Sequence, residues 1–503
     1  MTEAELELIN TRRAKRDAIT ALNQNPYANG FTPEHTAASV LDIHKDEKPE
    51  PKPVDTTVRY VLAGRVMFLR SFGKASFLKL QDRSGQIQVY CKKDLLPSEQ
   101  FEAFAHTEMG DIIYVEGHPF RTKTGELTVE ATRFVLLTKA LRPLPDKWHG
   151  LTDHETRYRQ RYVDLIVNAE VRETFKKRSK MTSSLRHFLE QHDFMEVETP
   201  VLQPIYGGAA AKPFTTHHNA LDLDLFMRIA PELYLKRLVV GGFERVFEMN
   251  KNFRNEGISL RHNPEFTSLE FYWAYATYET LMDFSEKMLR QVAIDTCGSA
   301  VVTCQGESLD FSKPFERISV YDAVRKFADP GGTGLKAPEE VFTNRDAAEK
   351  WASERNVGGV KPGDSHGKIM MAAFEHFAED KLRQPTFVTD FPLEVSPLAR
   401  KKESNPALVD RFELYCMGCE LANAFSELND PDDQRARFEG QGSERERGDE
   451  EAHQMDEDFI RALEHGMPPT AGMGIGVDRL AMLLCDAASI RDVIFFPLLR
   501  KET

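Results

Sequence analysis

Cysteine and tryptophan are scarce in this chain, with six and three among 503 residues. The cysteines, Cys91, Cys297, Cys304, Cys416, Cys419 and Cys485, fall at irregular spacings. That excludes the disulfide framework of a small secreted domain and points to a reducing, cytoplasmic setting. Cys416 and Cys419 form a single CxxC without a second pair or histidines at matched spacing, so no structural zinc site is expected. No run approaches the roughly 18 apolar residues of a membrane span, and Met1 to Leu22 mixes acids and bases without an apolar signal-like core. No membrane association is expected. Two nucleotide motifs are also missing: the GxxxxGK[ST] loop, and a GxGxxG turn after a strand. The nearest match, Gly472-Met-Gly474-Ile-Gly476, is a bare glycine triplet followed by Val477-Asp478-Arg479.

The balance of charge is acidic, with a net charge of −14. This argues against indiscriminate nucleic-acid binding and leaves a local basic surface open. The length implies more than one domain. Residues 3 to 23 read as an amphipathic helix whose Arg12, Arg13, Lys15 and Arg16 form a basic cluster, either a solvated face or a phosphate contact. Residues 44 to 56 are charged and proline-rich, like a linker. From Val58 to Leu141, short alternating segments broken by turn signals predict a small β-barrel of the OB-fold type.

Within that barrel, alternation places Ser76, Leu78 and Leu80 on one face and Phe77, Lys79 and Gln81 on the other. Phe77 is then a lone aromatic on a polar face, next to the face carrying Gln86, Gln88 and Tyr90. A stacking ring beside amides is the chemistry of single-stranded RNA readout, although an exposed phenylalanine without a role fits the same pattern.

Beyond Pro145 the pattern turns to mixed α/β, with helical periodicity over 171–191 and 278–294 and an acidic polar stretch over 429–458 that reads as a solvated helix or loop. Residues 244 to 273 read as two strands joined by a charged loop. On the second strand Phe266, Ser268, Glu270 and Tyr272 share a face, and Arg254, Glu256, Arg261 and His262 lie close by in sequence.

The segment FRNEGISLRHNPEF (253–266) resembles motif 2 of the class II aminoacyl-tRNA synthetases. FMEVETP (194–200) resembles their motif 1, and GMGIGVDRLAML (472–483) their motif 3. The HIGH and KMSKS signatures of class I are absent. RIAPELYLKRL (228–238), HHNALDLD (217–224), NAFSELNDP (423–431) and TAGMGIGVDR (470–479) are similar to the lysyl members of subclass IIb in particular. The resemblance implies an α+β chain: an N-terminal helix and linker (1–57), an OB-fold anticodon-binding domain (58–145), and a class II catalytic domain (146–503) built on an antiparallel sheet flanked by helices.

It also implies activation of L-lysine by ATP, transfer to tRNA(Lys), Mg²⁺ as cofactor and a homodimer built on motif 1. Arg254 and Arg479 would bracket the ATP phosphates as the catalytic cations. Phe266 would stack on adenine, and Glu256, His262 and Asn263 would orient the nucleotide. Glu413 and Glu420 would hold Mg²⁺ beside ATP. Gly208 and Glu232 would take the α-ammonium of lysine, Arg254 and Asn423 its carboxylate, and Glu427 with Tyr272 its ε-ammonium. Arg70, Phe77, Gln88 and Glu126 would read the anticodon.

One requirement comes from alternation itself. Counting back from Asn423 and Glu427 turns Glu420 to the wrong face, so a bulge is needed between them. One departure from the family is local: Cys416-Met-Gly-Cys419 stands where relatives carry glycines and a basic residue. Three competing readings are an aspartate or asparagine ligase, which acids at the far end of the pocket oppose, a binding protein with an inactive synthetase domain, which intact Arg254, Glu413, Glu420 and Arg479 oppose, and the paralogue that modifies elongation factor P, which is expected to lack the barrel.

Overall fold

The computed structural model describes residues 2–145, 151–329, 337–446 and 454–502. The chain divides into two compact units, Met1–Thr152 and Asp153–Thr503. The domain boundary expected at residue 146 lies outside the described residues.

In the first unit β1 (Tyr60–Phe72), β2 (Ala75–Gln81), β3 (Gln86–Lys92), β4 (Ile112–Arg121) and β5 (Leu127–Thr138) close a barrel in the order β1-β2-β3-β5-β4. Its interior takes one face of each strand, including Leu78, Leu80, Ile87, Val89, Val115 and Val129, and closure leaves no open sheet edge. The predicted N-terminal helix runs over Glu3–Ala21, with a capping box between Thr2 and Glu5. It sends Ile19 into the barrel core, which Ala37 and Val40 of the next helix also join.

The basic cluster on this helix is largely spent on protein contacts. Arg12 is buried and donates to the carbonyls of Met109 and Ala140, Lys15 pairs with Glu108 at 2.8 Å, and Arg16 pairs with Asp17. The stretch 44–56 lies along the barrel. Lys52 bridges to Arg121, the Asp55 amide donates to the Pro119 carbonyl, and His44 Nε2 sits 2.8 Å from the Tyr60 hydroxyl.

The second unit contains β6 (Met195–Glu196), β7 (Leu202–Gln203), β8 (Thr215–His218), β9 (Leu223–Met227), β10 (Arg245–Phe253), β11 (Glu265–Ala274), β12 (Val301–Cys304), β13 (Glu307–Asp310), β14 (Glu316–Ser319), β15 (Thr386–Thr389), β16 (Arg411–Cys416), β17 (Cys419–Ser426) and β18 (Thr470–Gly476). The main sheet, of eight strands among the described residues, has the order β14-β15-β16-β17-β18-β11-β10-β6. It is antiparallel except at its two edges, where β14 pairs with β15 and β6 with β10 in parallel.

One sheet face is apolar. Phe247, Leu269, Phe271, Phe412, Leu414, Ala422, Ala424, Met473 and Ile475 are in a single core with residues of the helices Ala169–Glu190 and Tyr278–Cys297. Those helices coincide with the periodic stretches 171–191 and 278–294. Covering this face with helices leaves the opposite face of the central strands for polar side chains, in the α+β architecture expected. The acidic stretch begins as a helix over Pro431–Glu446, and residues 447–453 fall outside the described residues. Among the described residues no helix is long and apolar enough to cross a membrane.

Candidate active site

The polar face of the central strands opens into a cavity of about 350 Å³ lined from β11, β16, β17, β18 and the loop between β10 and β11. Period-two alternation on β11 turns Phe266, Ser268, Glu270 and Tyr272 into it, while Leu269 and Phe271 enter the core behind. The β10–β11 ladder runs in unbroken register from Arg245↔Trp273 to Phe253↔Glu265. The connecting loop therefore holds Arg254, Glu256, His262 and Asn263 at one end of the cavity.

The bulge required by alternation is present. Leu414 pairs with Ala422 and Tyr415 with Glu420, leaving Leu421 without a partner across the ladder. That extra residue returns Glu420 to the cavity with Glu413 and Asn423.

At the end formed by this loop, the Arg254 guanidinium lies 5.1 Å above the Phe266 ring and its buried Nε has no hydrogen-bond partner among the described residues. Arg479 Nη1 donates to the Glu420 carbonyl at 2.6 Å, and Nη2 lies 3.2 Å from His262 Nε2. Partial burial, then the neighbouring Arg479 charge, lowers the His262 pKa. The imidazole is thus neutral at neutral pH, and Nε2 can accept from Arg479 while Nδ1 faces the Ser259 hydroxyl at 2.8 Å. Asp478 pairs with Arg178 at 2.6 Å and accepts from the Thr267 amide at 2.7 Å, which locks the start of the Val477–Leu484 helix and so the base of Arg479.

Glu413 is held by Arg411 and by the Tyr415 hydroxyl, the latter at 2.6 Å. Burial pushes it up to about 7, with Arg411 opposing and Glu420 adding to the rise. Arg411 also donates to Asn423 Oδ1 at 3.0 Å. It is a cavity-lining cation that sequence reasoning missed, although its place two residues before Glu413 on one strand puts both on the same face.

The other end is acidic. Glu232 opens the helix Glu232–Val240 and lines the cavity beside Gly208, whose φ is +87°. A Cβ on Gly208 would stand 2.8 Å from that of Glu232, so glycine is required for this approach. Glu270 lines the same end, with the Tyr272 hydroxyl 3.3 Å from its Oε2. Burial, then the Glu232 charge, pushes Glu270 up to about 8 against the pull of Tyr272, Arg254 and Arg228.

Glu427 is placed differently from Glu232 and Glu270. It is buried behind the lining, forms an ion pair with Lys236, and leaves Oε1 without a hydrogen-bond partner among the described residues. A Cβ on Gly472 would collide with that Oε1 and with the Tyr272 ring, so only glycine keeps this wall thin. Burial pushes Glu232 and Glu427 upward, while the Lys236 ammonium between them pulls both down. Sequence reasoning placed Glu270 on this strand face without giving it a role, and it missed Lys236. The signals were available, in the position of Glu270 between Phe266 and Tyr272 on one strand face, and of Lys236 one helical turn after Glu232.

On the barrel the expectation of a lone aromatic is corrected. Phe77 stands 4.7 Å from Tyr90 and 6.5 Å from Phe72, and Tyr90 is 5.9 Å from Phe120, so the rings form a row across β1, β2, β3 and β4. Phe77 pairs directly with Tyr90 in the β2–β3 ladder, a relation alternation within one strand does not reveal. Arg70 lies 4.8 Å over Phe72, Gln88 donates to the Thr128 hydroxyl, and Glu126 pairs with Lys79 at 2.9 Å.

Comparison with known proteins accounts for both units. A family described as "tRNA synthetases class II (D, K and N)" matches residues 153–500, and one described as "OB-fold nucleic acid binding domain" matches residues 60–137. Among curated relatives, proteins named Lysine--tRNA ligase are 52% identical in Anaeromyxobacter dehalogenans (99% of this chain, 98% of the relative) and 52% in Burkholderia vietnamiensis (97% and 96%). A third, in Methylobacillus flagellatus, is 53% identical (97% and 95%). With the family matched across nearly all of the second unit, the chain belongs to the class II tRNA synthetases of the D, K and N group.

Proposed function

We propose that the chain is an ATP-dependent lysine–tRNA ligase, and the observation that carries the reading is the acidic end of its cavity. Glu232 and Glu270 line that end beside Tyr272, Glu427 lies just behind it, and the Lys236 ammonium is ion-paired with Glu232 and Glu427, whereas guanidinium groups occupy the other end. Three acids against one ammonium suit a substrate with two ammonium groups. An aspartate side chain would meet the same acids and be repelled.

In this reading ATP lies toward Arg254, Phe266 and Arg479, and lysine between Arg254 and the acids, with Gly208, Glu232 and Asn423 at its α-carbon end and Tyr272, Glu270 and Glu427 toward its ε-ammonium. The lysine carboxylate, already ionised, attacks the α-phosphorus, and the bond to pyrophosphate breaks. Arg254 and Arg479 stabilise the charge that develops on the phosphate oxygens, and no general base is required. Glu256, His262 and Asn263 orient the nucleotide. A terminal ribose hydroxyl of tRNA then attacks the lysyl carbonyl and AMP leaves.

Glu413 and Glu420 fit a magnesium ion, being hard oxygen donors on paired strands that line the same cavity. When bound, that ion would neutralise phosphate charge. A cytoplasmic location fits six unpaired cysteines. A homodimer fits the exposed apolar side chains Met195, Leu202 and Leu223 at and beyond motif 1, and sedimentation reads it directly.

Pyrophosphate exchange across the twenty standard amino acids tests the reading. Lysine alone should support exchange, and exchange driven by aspartate or asparagine would overturn it.

The same site predicts a pH dependence. With Glu270 at about 8, its carboxyl is mostly protonated at neutral pH, and a substrate ammonium binds the ionised form. Lysine binding must then expel that proton, so the lysine KM should fall as pH rises from about 6 to 8, by up to about tenfold per unit, and level off above. Calorimetry in buffers of different ionisation enthalpy should record the released proton. A flat KM across that window removes Glu270 from the ammonium site.

The aromatic row on the barrel is assigned to the anticodon. Stacking is worth roughly 1 to 3 kcal/mol per base, so Phe77→Ala should weaken tRNA charging by about 5- to 150-fold. Exchange without tRNA should stay unchanged. Equal damage to both would make Phe77 a packing residue of the barrel.

A further inference from the structure

Lys236 has no part in the reaction as described, yet it is a fully buried cation directly beneath the cavity. It stands four residues after Glu232 on one helix, with Nζ 2.6 Å from Glu232 Oε1 and an ion pair to Glu427 Oε2. The rings of Phe425 and Phe459 flank the ammonium at 5.5 and 5.9 Å. Burying such a charge costs more than packing an apolar side chain in its place. Burial works against the ammonium, but Glu232 and Glu427 outweigh it and hold Lys236 above the usual lysine range.

What this arrangement provides is a division of oxygens. Lys236 takes Oε1 of Glu232 and Oε2 of Glu427. Glu232 belongs to the cavity lining, and the remaining oxygen of Glu427 has no partner and lies against Gly472 and Tyr272, both of which line the cavity. We propose that Lys236 is a positioning residue that ties Glu232 and Glu427 together and presents one oxygen of each to the two ammonium groups of a dibasic substrate. The proposal rests on the lysine-ligase reading and deepens it.

The charge count follows from the geometry of the bound state. Once lysine has displaced the Glu270 proton, Glu232, Glu270 and Glu427 against Lys236 leave that end two positive charges short, which the two ammonium groups of lysine supply. An amino acid with a single ammonium leaves one carboxylate unmatched and desolvated. Without Lys236 the end is three charges short, and mutual repulsion favours protonated acids that cannot bind either ammonium.

Two variants test this by pyrophosphate exchange. Lys236→Met keeps the length of the chain and removes the charge. The lysine KM should rise at least about 100-fold while the ATP KM stays within about threefold of wild type. Lys236→Ala opens a channel the length of n-propylammonium, and that amine should restore lysine-dependent exchange to within about tenfold of wild type, whereas 1-propanol, of the same shape but neutral, should not.

A lysine KM within about threefold of wild type in Lys236→Met overturns the proposal, as does equal rescue by the alcohol, which would show that the side chain only fills space. Parallel loss of ATP and lysine binding also overturns it. If both variants fail to fold even with the amine present, Lys236 is a structural ion-pair residue and the proposal fails. Failure of the wild-type protein to activate lysine at all would instead sink the lysine-ligase reading.

Discussion

Replacing Arg254 with alanine should lower the kcat/KM of lysine-dependent pyrophosphate exchange by about 10³-fold, the loss typical of removing a donor aimed at charge developing in a transition state. Arg254 stands at the end of the cavity formed by the β10–β11 loop, over the Phe266 ring and within electrostatic reach of Glu270. Among the described residues its buried Nε has no hydrogen-bond partner, which leaves that donor open to a ligand. Lysine in its place keeps the charge and loses the planar fork, so Arg254→Lys should recover only a small part of the activity. Exchange within about tenfold of wild type in the alanine variant would place the phosphate and carboxylate contacts elsewhere.

Glu427→Gln should raise the lysine KM by about two to three orders of magnitude and leave the ATP KM nearly unchanged. The amide cannot balance Lys236, whose ammonium is buried with no other acid than Glu232 in its ion pairs, and breaking a buried pair costs roughly 3 to 5 kcal/mol. Part of that cost falls on folding, so thermal melting has to be measured beside the kinetics. A variant that melts lower yet binds lysine normally would make Glu427 a structural partner of Lys236 and nothing more.

How far the sequence alone could be read varied with the range of the interaction. The barrel, the sheet and the two long helices were legible because alternation and helical periodicity are local. The need for a bulge before Asn423 was legible for the same reason, since counting along one strand exposes a residue facing the wrong way. The residues of the β10–β11 hairpin were legible as a site because the charged loop and the polar strand face adjoin in sequence. The resemblance to class II synthetases extended this to Glu413, Glu420 and Arg479.

Other features depend on which distant elements face one another. That Phe77 has Tyr90 and Phe72 beside it follows from strand pairing. That Arg12 is buried against two carbonyls follows from where the first helix docks.

The architecture, the family and the chemical types gathered at the site are written in the sequence, because these reside in local period, turn chemistry and contiguous motifs. How the charges pair is set by the fold. Lys236 and Glu427 are separated by most of the catalytic unit in sequence and meet in one ion pair, and burial there decides which acid keeps a free oxygen for a ligand. A carboxylate has the same composition whether it is solvated, paired or waiting for a substrate. Its protonation and its role are set by desolvation and by the nearest opposite charge, and both exist only once the chain has folded.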